Sequence, residues 1–323
     1  VEVLHSSFES MEKIKKENKL IETIGKEGKR PKFKIIIGTQ VIEQSLDIDF
    51  DVLYTDLAPM DLMIQRMGRL HRHSTHIRPD RFKDPKVYVM DCGSYDFDEA
   101  STHVYSKYIL MRTEYFLPNI IEIPKDVSKL VQKVYSTFDL NLIGDMARIY
   151  QEYKDEYEIL IKKKESDAKK FRIDNPLQIV KADNTMRCFI ANAHNASELS
   201  DIKASNKVRD ASDSVEFICL QYKNGLYGYL GGGKAFGKLT NSLAKDIAKH
   251  TIRLPSALIY ANKIDKIISQ LEDFYIKNLM EWDEYSWLKG NLAIIFDKDG
   301  NFEIDDYILH YDMKMGLTYM GKE

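Results

Sequence analysis

Apolar residues along this chain repeat with more than one period. Residues 1–4, VEVL, read as a short strand. Over residues 10–23, Met11, Ile14 and Ile21 recur at helical spacing among lysines and glutamates, which predicts an amphipathic helix. A polar loop, GKEGKRP, leads into KFKIIIGT. That continuous apolar run, closed by Gly38 and Thr39, predicts a buried parallel strand. DVLYTD and KVYVMD predict two further strands. Between them Leu62, Ile64 and Met67 mark a helix, followed by a basic loop that runs to Lys86. Strands alternating with helices over roughly the first 90 residues predict an α/β lobe with a parallel sheet and flanking helices.

After Asp91 the pattern changes. Residues 104–116 and 128–135 have helical spacing, and residues 145–171 read as one long helix. Met146, Ile149, Tyr150, Tyr153, Tyr157 and Leu160 form its apolar stripe, and its other faces are dense in lysine and glutamate. From about Val180 the chain is mixed. VEFICLQY and NLAIIFD predict strands, DKDGNF is a hairpin-turn signal, and residues 263–277 predict a helix. The division expected is therefore a lobe over 1–95, a helical linker over 96–180 and a small α+β domain over 181–323.

Composition narrows the picture only a little. The chain has 323 residues, which agrees with roughly two domains of about 150 residues each. Net charge is −3, so any nucleic-acid binding must use a local groove rather than a global field. Three widely separated cysteines read as ordinary thiols in a reducing cytoplasm. No apolar run approaches the ~18 residues of a membrane span, and no signal peptide is visible. The chain opens directly on a strand-like run without an initiator methionine, so it reads as the C-terminal part of a longer chain, or as a processed one.

Chemistry concentrates in two blocks. In the first, IIIGTQVIEQSLDIDF, a strand ends at Gly38-Thr39-Gln40, the edge where open α/β sheets place ligands. Thr39 and Gln40 are suited to donate hydrogen bonds to phosphate oxygens there. Asp47 and Asp49 follow on a short turn. The second block, DLMIQRMGRLHRHS, spaces Gln65, Gly68, Arg69 and Arg72 as Q-x-x-G-R-x-x-R. Arg69 and Arg72 stand about one helical turn apart and are expected to reach one polyphosphate from the same side. An arginine so placed in phosphoryl transfer contributes ~10³ to 10⁵ in rate. Gly68 lets the backbone approach another lobe closely.

The two blocks resemble motifs V and VI of superfamily 2 helicases. More narrowly, GTQVIEQSLDIDFDVLYTDLAPMDLMIQRMGRLHRH resembles the CRISPR-associated helicase–nuclease of type I systems. VLHSSF resembles that family's motif IV, and VRDASDSVEFICL, LPSALI and WLKGNLAIIFD resemble its C-terminal domain more loosely. The resemblance implies the second RecA-like lobe, a linker and an accessory domain of an ATP-dependent single-stranded DNA translocase that degrades invader DNA. It implies that Arg69 and Arg72 contact the ATP γ-phosphate, that Gln65 couples two lobes, and that Asp47 lies near the ribose with Gly68 beside the nucleotide. Thr39, Gln40, Glu43 and Ser45 would hold the DNA backbone. Implied partners are single-stranded DNA, a crRNA-guided surveillance complex, and the nuclease domain and first lobe that precede motif IV. ATP and Mg²⁺ would be held mainly by that first lobe, so this chain alone is expected to hydrolyse ATP negligibly. Alternatives are a general superfamily 2 DNA or RNA helicase lobe, or a non-catalytic DNA- or complex-binding fragment.

Other signals carry less. GYLGGGKA imitates a phosphate loop but has Ala235 where a hydroxyl would hold Mg²⁺. DEAS imitates an acidic box but reads as a polar loop entering a helix. His71, His73 and His76 have loop-like spacing with no metal-ligand pattern, and read as extra donors near phosphate. Trp282 and Trp287 read as anchors of the small domain's core.

Overall fold

The short strand β1 (Glu2–Leu4) pairs in parallel with β2 (Ile36–Gly38), Leu4 opposite Gly38. Between them runs α1 (Ser10–Ile24), whose first turn is capped by the Glu9 carboxylate accepting from the amides of Met11 and Glu12. Leu4, Leu20, Ile24, Leu46 and Ile48 form the core beneath this pair. The KFKIIIGT run was expected to be buried, and the pairing is parallel as predicted, but the burial is one-sided. Ile36 packs against the core, whereas Ile35 is 43% and Ile37 56% exposed. In a two-stranded sheet with α1 on one side, alternate residues must face away from the core.

These elements belong to one of two compact units in this computed structural model, which describes residues 1–43, 46–90, 92–93, 95–170, 215–232, 235–259 and 263–322. The first unit comprises Val1–Phe50, His71–Asp80 and Ser212–Glu323, and the second Asp51–Leu70 and Arg81–Ala211. The units interleave along the sequence, so each takes strands from the segment expected as a single lobe at 1–95.

The rest of the first unit is a mixed domain around β5 (Glu216–Lys223). It pairs antiparallel with β6 (Leu226–Gly228) and β7 (Thr251–Arg253), and parallel with β8 (Ala293–Phe296). A second, antiparallel sheet joins β9 (Asn301–Ile304), β10 (Tyr307–Asp312) and β11 (Gly316–Gly321). Phe217, Cys219, Ile294, Phe296, Leu309 and Leu317 are buried together, with Ile267 and Leu271 from the helix Lys263–Asn278. The DKDGNF turn exists: Asp297 Oδ1 accepts from the amides of Asp299 and Asn301, each at 2.8 Å. It does not close a hairpin, however. β8 pairs with β5 and β9 with β10, so the turn carries the chain from one sheet to the other. Trp282 is buried, while Trp287 is 49% exposed under the Lys245 ammonium. In the imitation phosphate loop, Gly233 and Lys234 lie outside the described residues.

In the second unit β3 (Val52–Asp56) pairs in parallel with β4 (Lys86–Met90). Helix α2 (Met60–Met67) buries Met60 and Ile64 against the predicted linker helices. These are α3 (Glu99–Val104), α4 (Lys107–Phe116), α5 (Val127–Tyr135) and α6 (Asp145–Lys170). Asp98 caps α3 by accepting from the Ser101 amide, which accounts for DEAS as a helix entry. The stripe on α6 is covered near its start, where Tyr150 is buried, and opens by Leu160, 42% exposed. No helix among the described residues is long and apolar enough to cross a membrane.

Candidate functional site

Thr39 and Gln40 stand at the C-terminal end of β2, both exposed, where the strand turns into a 3₁₀ helix over Gln40–Glu43. The Thr39 amide donates to Leu4 O at 3.2 Å, which ties this end to the end of β1. Glu43 is instead buried, 8% exposed. Ser45 lies outside the described residues.

The acidic turn that follows organises the first unit. Asp49 is wholly buried, and its amide donates to Ile24 O at 2.9 Å. Its carboxylate accepts from the Arg72 amide at 3.0 Å, from Arg30 Nη1 at 3.1 Å and from Arg78 Nη2 at 2.5 Å. His76 Nε2 is 3.7 Å away and also 3.2 Å from Gly25 O. Arg30 and Arg78 were not marked as site residues from the sequence, and His76 was read only as an extra donor near phosphate. The only available signal was complementarity between the acids of IEQSLDID and the basic run that ends near Arg81.

Asp47 is the exposed counterpart, with 48% of its side chain accessible. It accepts from Arg72 Nε at 2.8 Å and lies 3.0 Å from His73 Nε2. Desolvation alone would raise its carboxyl, but the Arg72 hydrogen bond and the positive field of His73 and Arg72 outweigh it and hold the group below the usual range. Arg72 is therefore fixed at two points, main chain by Asp49 and side chain by Asp47. Its side chain, paired with Asp47, remains 41% exposed and so accessible from solvent. The residues fit a phosphate ligand in that respect. Among the described residues no group of three or more His, Cys, Asp or Glu converges to hold a metal ion.

Arg69 and Arg72, expected about one helical turn apart, do not lie on a helix. α2 stops at Met67, and Gly68 is its C-cap, donating to Ile64 O at 2.8 Å. A Cβ at Gly68 would meet Ile64 O at 3.3 Å, so the glycine's tight neighbour is its own helix. Arg69 then lies in a turn, its amide donating to Arg66 O, and His71 adopts φ 50°. Arg69 falls in the second unit and Arg72 in the first. Within the second unit Gln65 is exposed on α2, and Arg66 is committed to Thr55 Oγ1 at 2.7 Å and Asp56 O at 3.0 Å. Arg66 thus anchors α2 to the end of β3.

Two family models match this chain. One is described as CRISPR-associated nuclease/helicase Cas3, C-terminal, and covers residues 1–75. The other, the Cas3 C-terminal domain, covers residues 209–317. The chain is similar to the CRISPR-associated nuclease/helicase Cas3 of Streptococcus thermophilus, 44% identical over 98% of this chain and 35% of that protein. It is also similar to a solved CRISPR-associated protein, with TM-score 0.78 and 25% identity, covering 99% of this chain and 34% of the other. It shares the fold of T. fusca Cas3-ADP, with TM-score 0.70 at 24% identity, over 98% of this chain and 35% of that one. The chain thus spans about a third of the length of the relatives it matches.

Proposed function

This chain belongs to the CRISPR-associated nuclease/helicase Cas3 family, as a C-terminal portion, and from that premise we propose that it serves an ATP-driven single-stranded DNA translocase of type I CRISPR interference. Residues 1–95 supply the second RecA-like lobe, 96–180 the linker and 181–323 the accessory domain. The partners are the first lobe and nuclease domain, a crRNA-guided surveillance complex and the displaced DNA strand, all in the cytoplasm. Mg²⁺ would be held mainly by the first lobe.

The observation that carries the reading is the two-point anchoring of Arg72 by Asp47 and Asp49. A long arginine side chain ordinarily loses rotamer freedom when it engages a ligand. Here the guanidinium is held in place beforehand, which is what transition-state stabilisation requires. Bound ATP supplies the phosphoryl group whose transfer to water drives movement. Arg72 and Arg69 place positive charge against the developing negative charge, Gln65 couples the lobes, and Asp47 and Gly68 border the nucleotide. Thr39 and Gln40 donate to the DNA backbone, and Glu43 and Ser45 are assigned to the same DNA-contacting motif. Such contacts position a strand without reading its bases.

The test is Arg72→Ala in the complete protein. DNA-stimulated ATPase should fall by about 10³ in kcat while the melting temperature moves little. A kcat within about twofold of wild type removes Arg72 from the site.

A further inference from the structure

The segment His5–Ser10, which leaves β1 and enters α1, is gripped by the C-terminal part of the first unit. The Leu317 amide donates to Ser7 O at 2.8 Å, and His5 Nε2 lies 2.8 Å from Met315 O. His5 Nδ1 in turn accepts the Ser7 amide at 3.1 Å. Three residues on, the Ser10 and Thr251 hydroxyls meet at 2.6 Å, and Glu9 pairs with His250 at 3.0 Å. Gly316 makes the closest approach. Its φ is +70°, and a Cβ there would lie 2.9 Å from Ser7 O and 3.0 Å from His5 Cε1.

The gripped segment adjoins the DNA-facing edge by a backbone link. Leu4, the residue before His5, accepts the Thr39 amide at 3.2 Å. Whatever displaces His5–Ser7 therefore pulls on the end of β1 and on the strand end carrying Thr39 and Gln40. We infer that the β10–β11 turn is a positioning device: through Gly316 and Leu317 it sets the segment after β1, and hence the DNA-contacting edge of the lobe. Only the DNA consequence rests on the function proposed above.

A second glycine supplies the control. Gly290 has φ +73° with no atom within 4 Å of its would-be Cβ. Gly316→Ala and Gly290→Ala thus impose similar backbone strain, and only the first pushes on Ser7 and His5. In the complete protein, hydrogen exchange of residues 5–10 should accelerate about tenfold or more in Gly316→Ala and stay near wild type in Gly290→Ala. The single-stranded DNA concentration that half-activates the ATPase should rise about threefold to tenfold in Gly316→Ala, with kcat within about twofold. Equal exchange in the two variants overturns the grip. Faster exchange with unchanged DNA activation overturns the positioning role. If Gly316→Ala does not fold, His5→Ala, which removes the side-chain contact with Met315 O of that turn, is read the same way by exchange of residues 5–10 and DNA activation, with unchanged values overturning the inference. A wild-type protein without DNA-stimulated ATPase refutes the functional reading, and the exchange comparison still decides the grip.

Discussion

Asp49 and Arg112 are both wholly buried charges, and the two units satisfy them by opposite means. Asp49 draws in cations: Arg30 and Arg78 approach as ion pairs, and the Arg72 amide completes the set. Arg112 makes six described hydrogen bonds, every one to a neutral oxygen. The carbonyls of Lys133, Val134 and Phe138 accept from it, as do Ser136 Oγ and the Tyr150 and Tyr108 hydroxyls. Lys133 and Val134 lie in the last turn of α5, where unpaired carbonyls concentrate partial negative charge. One unit therefore neutralises a charge with opposite charges, and the other solvates it with dipoles. In the ion-paired arrangement Arg30 and Arg78 are largely buried against Asp49, while the Arg72 side chain stays 41% exposed. The dipolar one spends all its donors on structure, so Arg112 locks α4, α5 and α6 and has no part in chemistry.

The largest effect should come from Arg112→Leu. It leaves buried carbonyls of α5 without a donor, and loss of a buried hydrogen-bonded charge typically costs about 3–5 kcal/mol. Hydrogen exchange through α4 and α5 in the complete protein measures this, and a cost under about 1 kcal/mol would mean that dipolar solvation contributes little. Next is Asp49→Asn. The amide retains one acceptor but no charge, and hydrogen bonds to charged groups are worth about 1.5–3 kcal/mol. Exchange at residues 71–78 should rise, with DNA-stimulated ATPase falling as Arg72 loses its main-chain anchor. An unchanged loop would show that charge is dispensable there.

A smaller effect separates Glu9. Burial alone would raise its carboxyl, but the His250 hydrogen bond, with the Met11 and Glu12 amides, holds it below the ordinary 4.5. A depressed carboxyl contributes stability that is fully present above about pH 4.5 and is lost as pH falls through the lower folded value. Exchange of residues 9–12 should therefore quicken on acidification below that point, and Glu9→Gln should flatten the dependence. Asp47→Asn should be the mildest for stability, under about 1 kcal/mol and weaker still in high salt, because the pair is half exposed. Its effect should appear in ATPase instead. A large loss of stability would place Asp47 with Asp49 rather than with the ligand-facing groups.

Much of this was legible in local pattern. The α1 spacing, the strands flanking α2 and the Thr39–Gln40 strand end depend on neighbours a few residues apart, and the order of the two motif blocks identified the family. Asp49's partners were not legible, because Arg30 and Arg78 lie 19 and 29 residues away. Arg112 gave no sign at all: an arginine inside a helical pattern ordinarily marks a solvated face, and its six acceptors are set by how three helices meet. The DKDGNF turn was correctly read as a turn, yet only strand pairing decided that it joins two sheets. The helix end at Gly68 leaves Arg69 and Arg72 beyond α2, where spacing alone suggested about one helical turn between them. Periodicity and motif order follow from local sterics and chemistry, so the sequence by itself determined most of the elements and the family, and nominated the candidate site residues. Charge compensation, one-sided burial and the grip on His5–Ser10 depend on which distant groups share low-dielectric space, and those only tertiary packing decided.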